Sequence, residues 1–347
     1  MSAFGFPGTQ ANTQHNPNKD IELTSPPTDG ISSLCWSPQA NHLVATSWDN
    51  QVRCWEVSAS GTSVPKAAVS HDQPVLCSAW SPDGTTVFSG GCSKQVMMWN
   101  LATNQNQVVG QHDAPIKHMF FVDKMSNMLV TGSWDRTMRY WDLRQPKPAH
   151  VQQVAERIFA MDIKFPLAVL GLANRRITVF NLSNPAAVYK DVESPLKYQT
   201  RCVTAFPDHS GYLVGSIEGR VAVHHVEEHL QSKNFTFKCH RDQNDIFAIN
   251  SMTFHPQYHT FVTTGADGNY NFWDKDSKQR LKNMARCSAP IPCGAFNKDG
   301  SIYSYAVSYD WSKGYADHNP ATAKNYILLH APTDGEVKTR PRPTARR

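Results

Sequence analysis

Side chains able to do chemistry occur in three settings along the 347 residues. The first is a histidine followed by an aspartate: His112 with Asp135, and again His240 with Asp267. Beside a hydroxyl such as that of Ser133, a His–Asp pair has the composition of a hydrolytic relay, in which the carboxylate orients an imidazole base. The second is the histidine cluster His224, His225 and His229, the only grouping with the donor types of a metal site. The third is the run from 275 to 282, where Lys275, Lys278, Arg280 and Lys282 outnumber the single acid Asp276 and follow Trp273. Cations beside aromatic rings suit phosphates and stacked bases. The sequence has no G-x-x-x-x-G-K-[ST], G-x-G-x-x-G, G-x-S-x-G or H-E-x-x-H, so no phosphate cradle, nucleophile elbow or zincin helix is spelled out.

What these side chains can do depends on the elements that hold them, and those elements repeat. A small-residue strand, a polar turn, an alternating strand and an aromatic recur as ATSWDNQVRCWE (45–56), SGGCSKQVMMWN (89–100) and TGSWDRTMRYWD (131–142). The pattern weakens in LGLANRRITVFN (170–181) and VGSIEGRVAVHH (214–225), then returns in TTGADGNYNFWD (263–274). The pivots Trp55, Trp99, Trp141, Phe180, His224 and Trp273 are 44, 42, 39, 44 and 49 residues apart. That period with Trp-Asp endings is the signature of a WD repeat, one four-stranded propeller blade. An upstream strand and turn, such as SAWSPDGTTVFS, precedes each pivot, and no stretch holds a helical apolar period.

Six pivots and a last unit built from 291–300, 301–311 and 325–332 predict an all-β, seven-bladed WD40 propeller. The last unit supplies three strands. Residues 20–24 alternate correctly to provide its fourth, closing the ring by strand exchange between the chain ends and removing open edges. The predicted organisation is a flexible extension over 1–15, the propeller over 16–332 and a basic tail over 333–347.

Within this frame the His–Asp pairs read as structure. His112, Ser133, Asp135 and Trp141 fit the hydrogen-bond chain of a WD blade, and His240, Asp267 and Trp273 partly repeat it. Ser93, Asn174 and Glu218 stand where the second, fourth and fifth repeats need the aspartate, so those blades are expected to lack the full chain. His224 occupies a pivot, and strand alternation points His224 and His225 to opposite faces, against a shared metal. The expectation is a protein that is not an enzyme, with no cofactor and no metal.

Composition agrees. Hydrophobic residues make up 40%, enough for a large core, and 34 Lys+Arg against 29 Asp+Glu give a mildly basic net charge of +5. No run approaches the ~18 apolar residues of a membrane span, and the N-terminal residues lack the basic and apolar regions of a secretory leader. The eight cysteines include no Cys-x-x-Cys pair and are expected to be reduced, buried thiols. From Glu336 onward Lys338, Arg340, Arg342, Arg346 and Arg347 oppose one acid; this end reads as solvated, with an accessory contact to nucleic acid or acidic protein as the sharper alternative.

Seven segments exceed what a generic WD repeat requires: TSWDNQVRCWEV (46–57), GSWDRTMRYWDLR (132–144), ESPLKYQTRCV (193–203), GSIEGRVAV (215–223), NFTFKCHR (234–241), FWDKD (272–276) and YDWSKG (309–314). Together they closely resemble the Rae-type mRNA export factors, nuclear-pore-associated WD-repeat proteins, from about residue 16 to about 330. The mitotic checkpoint WD proteins of the Bub family share the IEGRVAV-type and FKCHR segments, but the agreement around WDKD and YDWSKG favours the export factors.

The resemblance implies a monomeric seven-bladed adaptor in a heterodimeric complex at the nuclear pore, shuttling to the cytoplasm. It implies binding of a nucleoporin GLEBS motif across one face, single-stranded RNA or messenger ribonucleoprotein as a further partner, and a part in spindle assembly. It also implies a side groove for RNA and for peptides that imitate it, at Phe237, Trp273, Lys275, Lys278, Arg280 and Lys282. For the nucleoporin face, Arg157, Arg201, Arg220 and Arg241 are the candidates at blade ends, since arginine suits acidic peptides. Trp48 and Trp134 are unusually large before their turn aspartates and would line the same face. The insertion 314–325 reads as a contact loop or surface decoration. A checkpoint scaffold recruiting kinases through that face, or a substrate receptor of a ubiquitin ligase, are the alternatives.

Overall fold

The computed structural model describes residues 15–339. Seven four-stranded antiparallel sheets succeed one another along the chain. Blade 1 is Ile31–Trp36, His42–Ser47, Gln51–Val57 and Ser63–Ser70; blade 2 is Val75–Trp80, Thr86–Gly91, Gln95–Asn100 and Gln105–Gln111. Blade 3 is Ile116–Val122, Met128–Ser133, Thr137–Trp141 and His150–Gln153; blade 4 is Ile158–Lys164, Leu167–Leu172, Arg176–Asn181 and Val188–Glu193. Blade 5 is Thr200–Ala205, Gly211–Ser216, Arg220–His225 and Phe235–Lys238; blade 6 is Ile249–Phe254, Phe261–Gly265, Tyr270–Asp274 and Gln279–Asn283. Blade 7 is Gly294–Phe296, Tyr303–Val307 and Tyr326–His330, completed by Ile21–Glu22. Helix is confined to short turns, among them Glu228–Lys233 and Asp334–Val337.

The first strand of each blade is innermost and packs on the first strand of the next, with blade 7 returning onto blade 1. Second strands are buried on both faces, as in Leu167–Leu172, whereas fourth strands alternate half-buried and exposed, as in Phe235–Lys238. The core lies between blades: Val122 and Tyr140 of blade 3 meet Ile158, Ile163 and Phe180 of blade 4. Trp36 and Trp80 stitch neighbours together, donating to Ser304 Oγ (2.9 Å) and to the Cys35 carbonyl (3.1 Å).

Closure follows the expected exchange over a shorter strand, Ile21 opposite Leu329 and Glu22 opposite Leu328. Asp20 then forms a latch. It accepts from Tyr270 (3.0 Å) and Tyr305 (2.7 Å) and lies 2.8 Å from His330 Nδ1, while His330 Nε2 meets Glu336 at 3.1 Å. The last contact corrects the expected tail boundary. Thr333 and Glu336 form a capping box, Glu336 and Val337 are buried, and Thr260 donates to the Val337 carbonyl at 2.7 Å. The chain therefore stays packed on the ring past 332. Of the remaining tail cations, Arg340, Arg342, Arg346 and Arg347 lie outside the described residues, as do residues 1–14 of the extension expected over 1–15.

Because strands alternate in direction, the connectors between blades and the second-to-third-strand turns share one end of every blade. Backbone bonds lace them together around the ring: Trp48 N to Gly30 O, Trp134 N to Pro115 O, Ala173 N to Arg157 O, Ile217 N to Gln199 O and Ser308 N to Pro290 O. These segments form one face of the propeller.

Candidate functional site

The His–Asp pairs are closed chains. In blade 3 the Trp141 indole donates to Thr131 Oγ1 (2.8 Å), Thr131 lies 2.7 Å from His112 Nε2, and His112 Nδ1 lies 2.8 Å from Asp135. Blade 6 repeats this through Trp273, Thr263, His240 and Asp267 at 3.0, 2.7 and 2.8 Å. The hydroxyl in the chain is thus Thr131, not Ser133. Ser133 donates to the Ala114 and Pro115 carbonyls and receives the Asp135 amide, so it shapes the turn. Thr131 and Ser133 share a strand face, and the one further from the turn sits level with the imidazole. Burial lowers the His112 pKa despite its carboxylate neighbour. A neutral ring donating from Nδ1 has its Nε2 filled by Thr131, leaving no basic nitrogen for a substrate. Burial would raise the Asp135 pKa, but hydrogen bonds from His112 and Thr137 hold it well below the carboxylate range.

No metal-holding group of His, Cys, Asp and Glu occurs among the described residues. His224 stacks on Tyr212 and His225 bonds Asn234, facing apart as expected. All eight cysteines are free, and burial pushes Cys77 and Cys293 up to about 12. No helix is long and apolar enough to cross a membrane.

The laced face carries the chemistry instead. Six first strands have a bulge at the same place, leaving Ser32, Leu76, Lys117, Phe159, Arg201 and Asn250 as the extra residues. A bulge re-aims one side chain, here around the ring's axis. Two of these six are cations that feel each other: burial first, then Arg201, lowers the Lys117 pKa. A carboxylate brought between them would relieve both. Sequence reading missed Lys117; its place one residue into a first strand, matching that of Arg201, was the signal available.

The structure separates the other arginines. Arg157 is exposed, 3.5 Å from Glu156 and over Phe159. Arg201 is exposed. Arg241 is tied to the turn carbonyls of Glu218 (2.8 Å) and Gly219 (3.3 Å), and Arg220 lies 3.7 Å from Glu218. Trp48 is 39% exposed, whereas Trp134 is mostly covered and its buried indole N–H has no acceptor. Tyr198, Ile217 and Ile246 add exposed apolar surface to the same face.

The side groove lies where the outer strands of blades 5 and 6 meet. Phe237 packs on Trp273 at 4.7 Å between ring centroids, Arg280 lies 5.9 Å over Trp273, and Lys278 lies 4.7 Å over Phe235. Lys275 turns inward, its Nζ 2.8 Å from Asp276 and 4.9 Å over Phe206, with its side chain only 8% exposed. Lys282 is exposed but stands opposite Phe272 rather than Trp273, beyond a bulge. Five aromatic and cationic side chains therefore form the reachable groove: Phe235, Phe237, Trp273, Lys278 and Arg280. Phe235 was missed because its partner Lys278 stands far from it in sequence.

The WD domain, G-beta repeat, matches residues 20–56, 65–100, 104–142 and 231–274, skipping the repeats whose pivots are Phe180 and His224. The chain is 61% identical to "Protein RAE1" of Arabidopsis thaliana, covering 99% of this chain and 98% of that protein. It is 46% identical to the "Poly(A)+ RNA export protein" of Schizosaccharomyces pombe, covering 99% of each, and 44% identical to the "mRNA export factor GLE2" of Chaetomium thermophilum, covering 96% of each.

Proposed function

The chain belongs to the Rae1 family of WD40-repeat mRNA export factors, and on that premise we propose that it is a non-enzymatic adaptor joining ribonucleoprotein to the nuclear pore. Its laced face takes an acidic nucleoporin peptide of the GLEBS type. Its blade 5–blade 6 edge takes single-stranded RNA. The complex is a heterodimer of one ring with one nucleoporin segment, at the nuclear envelope.

The observation that carries this reading is that Lys117 and Arg201 stand at the same bulged position of the first strands of blades 3 and 5, with Phe159 at that position of blade 4 between them. Like charges held together cost stability unless a ligand neutralises them, so their arrangement favours an anionic partner. Phe159 and Tyr198 supply apolar surface for the peptide's hydrophobic side chains. At the edge, bases stack on Phe237 and Trp273 while Lys278 and Arg280 meet phosphates.

The test is calorimetric titration of a synthetic GLEBS peptide. Arg157→Glu with Arg201→Glu should weaken binding by about 30-fold or more, the 2 kcal/mol scale of a broken interfacial charge pair, without lowering the unfolding temperature. Arg241→Ala should lower the unfolding temperature instead, because its guanidinium serves turn carbonyls. Undiminished peptide affinity in the double charge reversal would remove the face from the account.

A further inference from the structure

The laced face is not uniform in charge. Arg157, Arg175, Lys197 and Arg201 cluster on blades 4 and 5, and Lys94, Lys117, Arg136 and Arg286 extend the basic surface over blades 2, 3 and 6. At the junction of blades 7 and 1 the same face has a cavity of about 120 Å³ lined by Asp29, Tyr309, Trp311 and His318. The three rings form one cluster: Tyr309 and His318 stack at 5.2 Å, Trp311 and His318 lie 4.7 Å apart, and Tyr309 meets Trp311 edge-on at 5.5 Å. Trp48 borders the cavity, since a β-carbon on Gly30 would lie 3.5 Å from Trp48 Cδ1 and 3.5 Å from the Tyr309 carbonyl.

Trp311 is placed at some cost. It has φ +61°, a left-handed backbone that bulky residues seldom adopt. The turn is held by Gly314 N to Trp311 O (3.0 Å), by the Ser312 amide on Asp310 Oδ1 (3.1 Å) and by Asn250 on Asp310 Oδ2 (2.8 Å). The strain leaves the indole 39% exposed instead of burying it. Local strain that presents a side chain to solvent is a mark of a binding site.

The charge here is negative. Asp29 lines the cavity, its Oδ1 takes only the Gly30 amide (2.6 Å), and no cation pairs with it among the described residues. Desolvation and the nearby Asp317 and Asp310 carboxylates raise the Tyr309 pKa. Neither lysine of the 308–325 loop, Lys313 or Lys324, lines the cavity. Aromatic faces with a carboxylate attract an organic cation.

Building on the peptide reading above, we propose that the blade 7–blade 1 cavity receives a cationic side chain, lysine or arginine, of the peptide crossing this face. The peptide is thereby oriented, its acidic part on blades 4 and 5 and its basic residue on Asp29, Tyr309 and Trp311. A peptide of reversed polarity would set like charges against each other at both ends.

The experiment titrates the full chain with N-acetyl-lysine methylamide and N-acetyl-arginine methylamide, following the Trp311 indole N–H by NMR. N-acetyl-norleucine methylamide is the neutral isostere, and adenosine monophosphate tests a stacked base. At least one cationic probe should bind saturably, the neutral isostere at least fivefold more weakly, and Asp29→Asn should weaken the cation at least fivefold with the unfolding temperature unchanged. Trp311→Phe, which keeps a ring and is followed through the indole N–H of the bordering Trp48, should retain part of the binding. Equal binding of norleucine, indifference to Asp29→Asn, or tighter binding of adenosine monophosphate would each overturn the cation pocket. GLEBS-peptide titration on the same samples separates the two claims: loss confined to Arg157→Glu with Arg201→Glu supports the face whatever the small probes do.

Discussion

Trp141 and Trp273 occupy equivalent positions in blades 3 and 6 and end the same His–Thr–Trp chain, yet one is sealed and the other is only half-buried. Trp141 is 3% exposed because blade 2's outer strand brings Gly110 against it; a β-carbon there would lie 2.7 Å from Trp141 Cζ3. Trp273 instead faces the outer strand of blade 5, whose Phe237 lies 4.7 Å from it between ring centroids, with Arg280 on its ring at 5.9 Å. The lesson is that the repeat fixes the indole's hydrogen bond, while the preceding blade's outer strand decides whether its face is core or binding surface.

Breaking the shared chain should produce the largest effects. His112→Ala leaves a cavity and an unfilled Thr131 hydroxyl in a buried site, while Asp135 keeps Thr137 and Arg139, and should cost about 3–5 kcal/mol of stability with RNA affinity unchanged. His240→Ala should cost a similar amount and also weaken RNA binding, since Trp273 loses its anchor. Denaturant unfolding with RNA titration checks both, and equal RNA affinity in the two variants would break the contrast.

Both pivots presuppose a closed ring, which the latch controls. The His330 pKa is about 9: burial opposes the charge, but Asp20 and Glu336 stabilise it. The Glu336 pKa is about 2, with burial overcome by His330 and the Thr333 amide. A histidine raised above its unfolded value contributes fully below about 6.5 and loses that contribution as pH climbs through 9. Glu336, depressed, contributes above about 4.5 and loses it as pH falls toward 2. His330→Asn should therefore lower stability by about 2–4 kcal/mol near pH 6 and by much less at pH 10. A pH-independent difference would contradict the charged latch.

Sealing can be tested directly. Gly110→Val should cost about 1–3 kcal/mol through overpacking on Trp141. Phe237→Leu should leave stability nearly unchanged but weaken RNA by about 1–3 kcal/mol, the scale of one lost stacking contact. The smallest effect sharpens the register argument. Arg280→Ala should reduce the slope of log affinity against log salt by about 0.7, one phosphate contact on a single strand, and Lys282→Ala by less.

The pivots and turn residues made blade number and ring closure legible, because a blade is a local unit whose period survives even where Phe180 or His224 replaces tryptophan. What escaped sequence reading depends on how separate strands meet. Thr131 and Ser133 present alternative hydroxyls on one face, and only the height of His112 selects between them. Lys117 became a candidate through a bulge, which shifts facing without any mark in composition. Lys275 belongs to the basic run yet is folded under Asp276 and Phe206. The C-terminal turn resembles tail in sequence because its single apolar residue, Val337, sits among charged neighbours, one of which, Glu336, is itself buried.

In the proposed function, a face and an edge of one ring recognise different partners. The most direct test of this is to bind labelled single-stranded RNA to the full chain and add GLEBS peptide to saturation. The RNA affinity should change by less than about twofold, far below the coupling of linked sites, and a ternary complex should form. Stoichiometric displacement of the RNA by the peptide would mean that a single shared surface binds both.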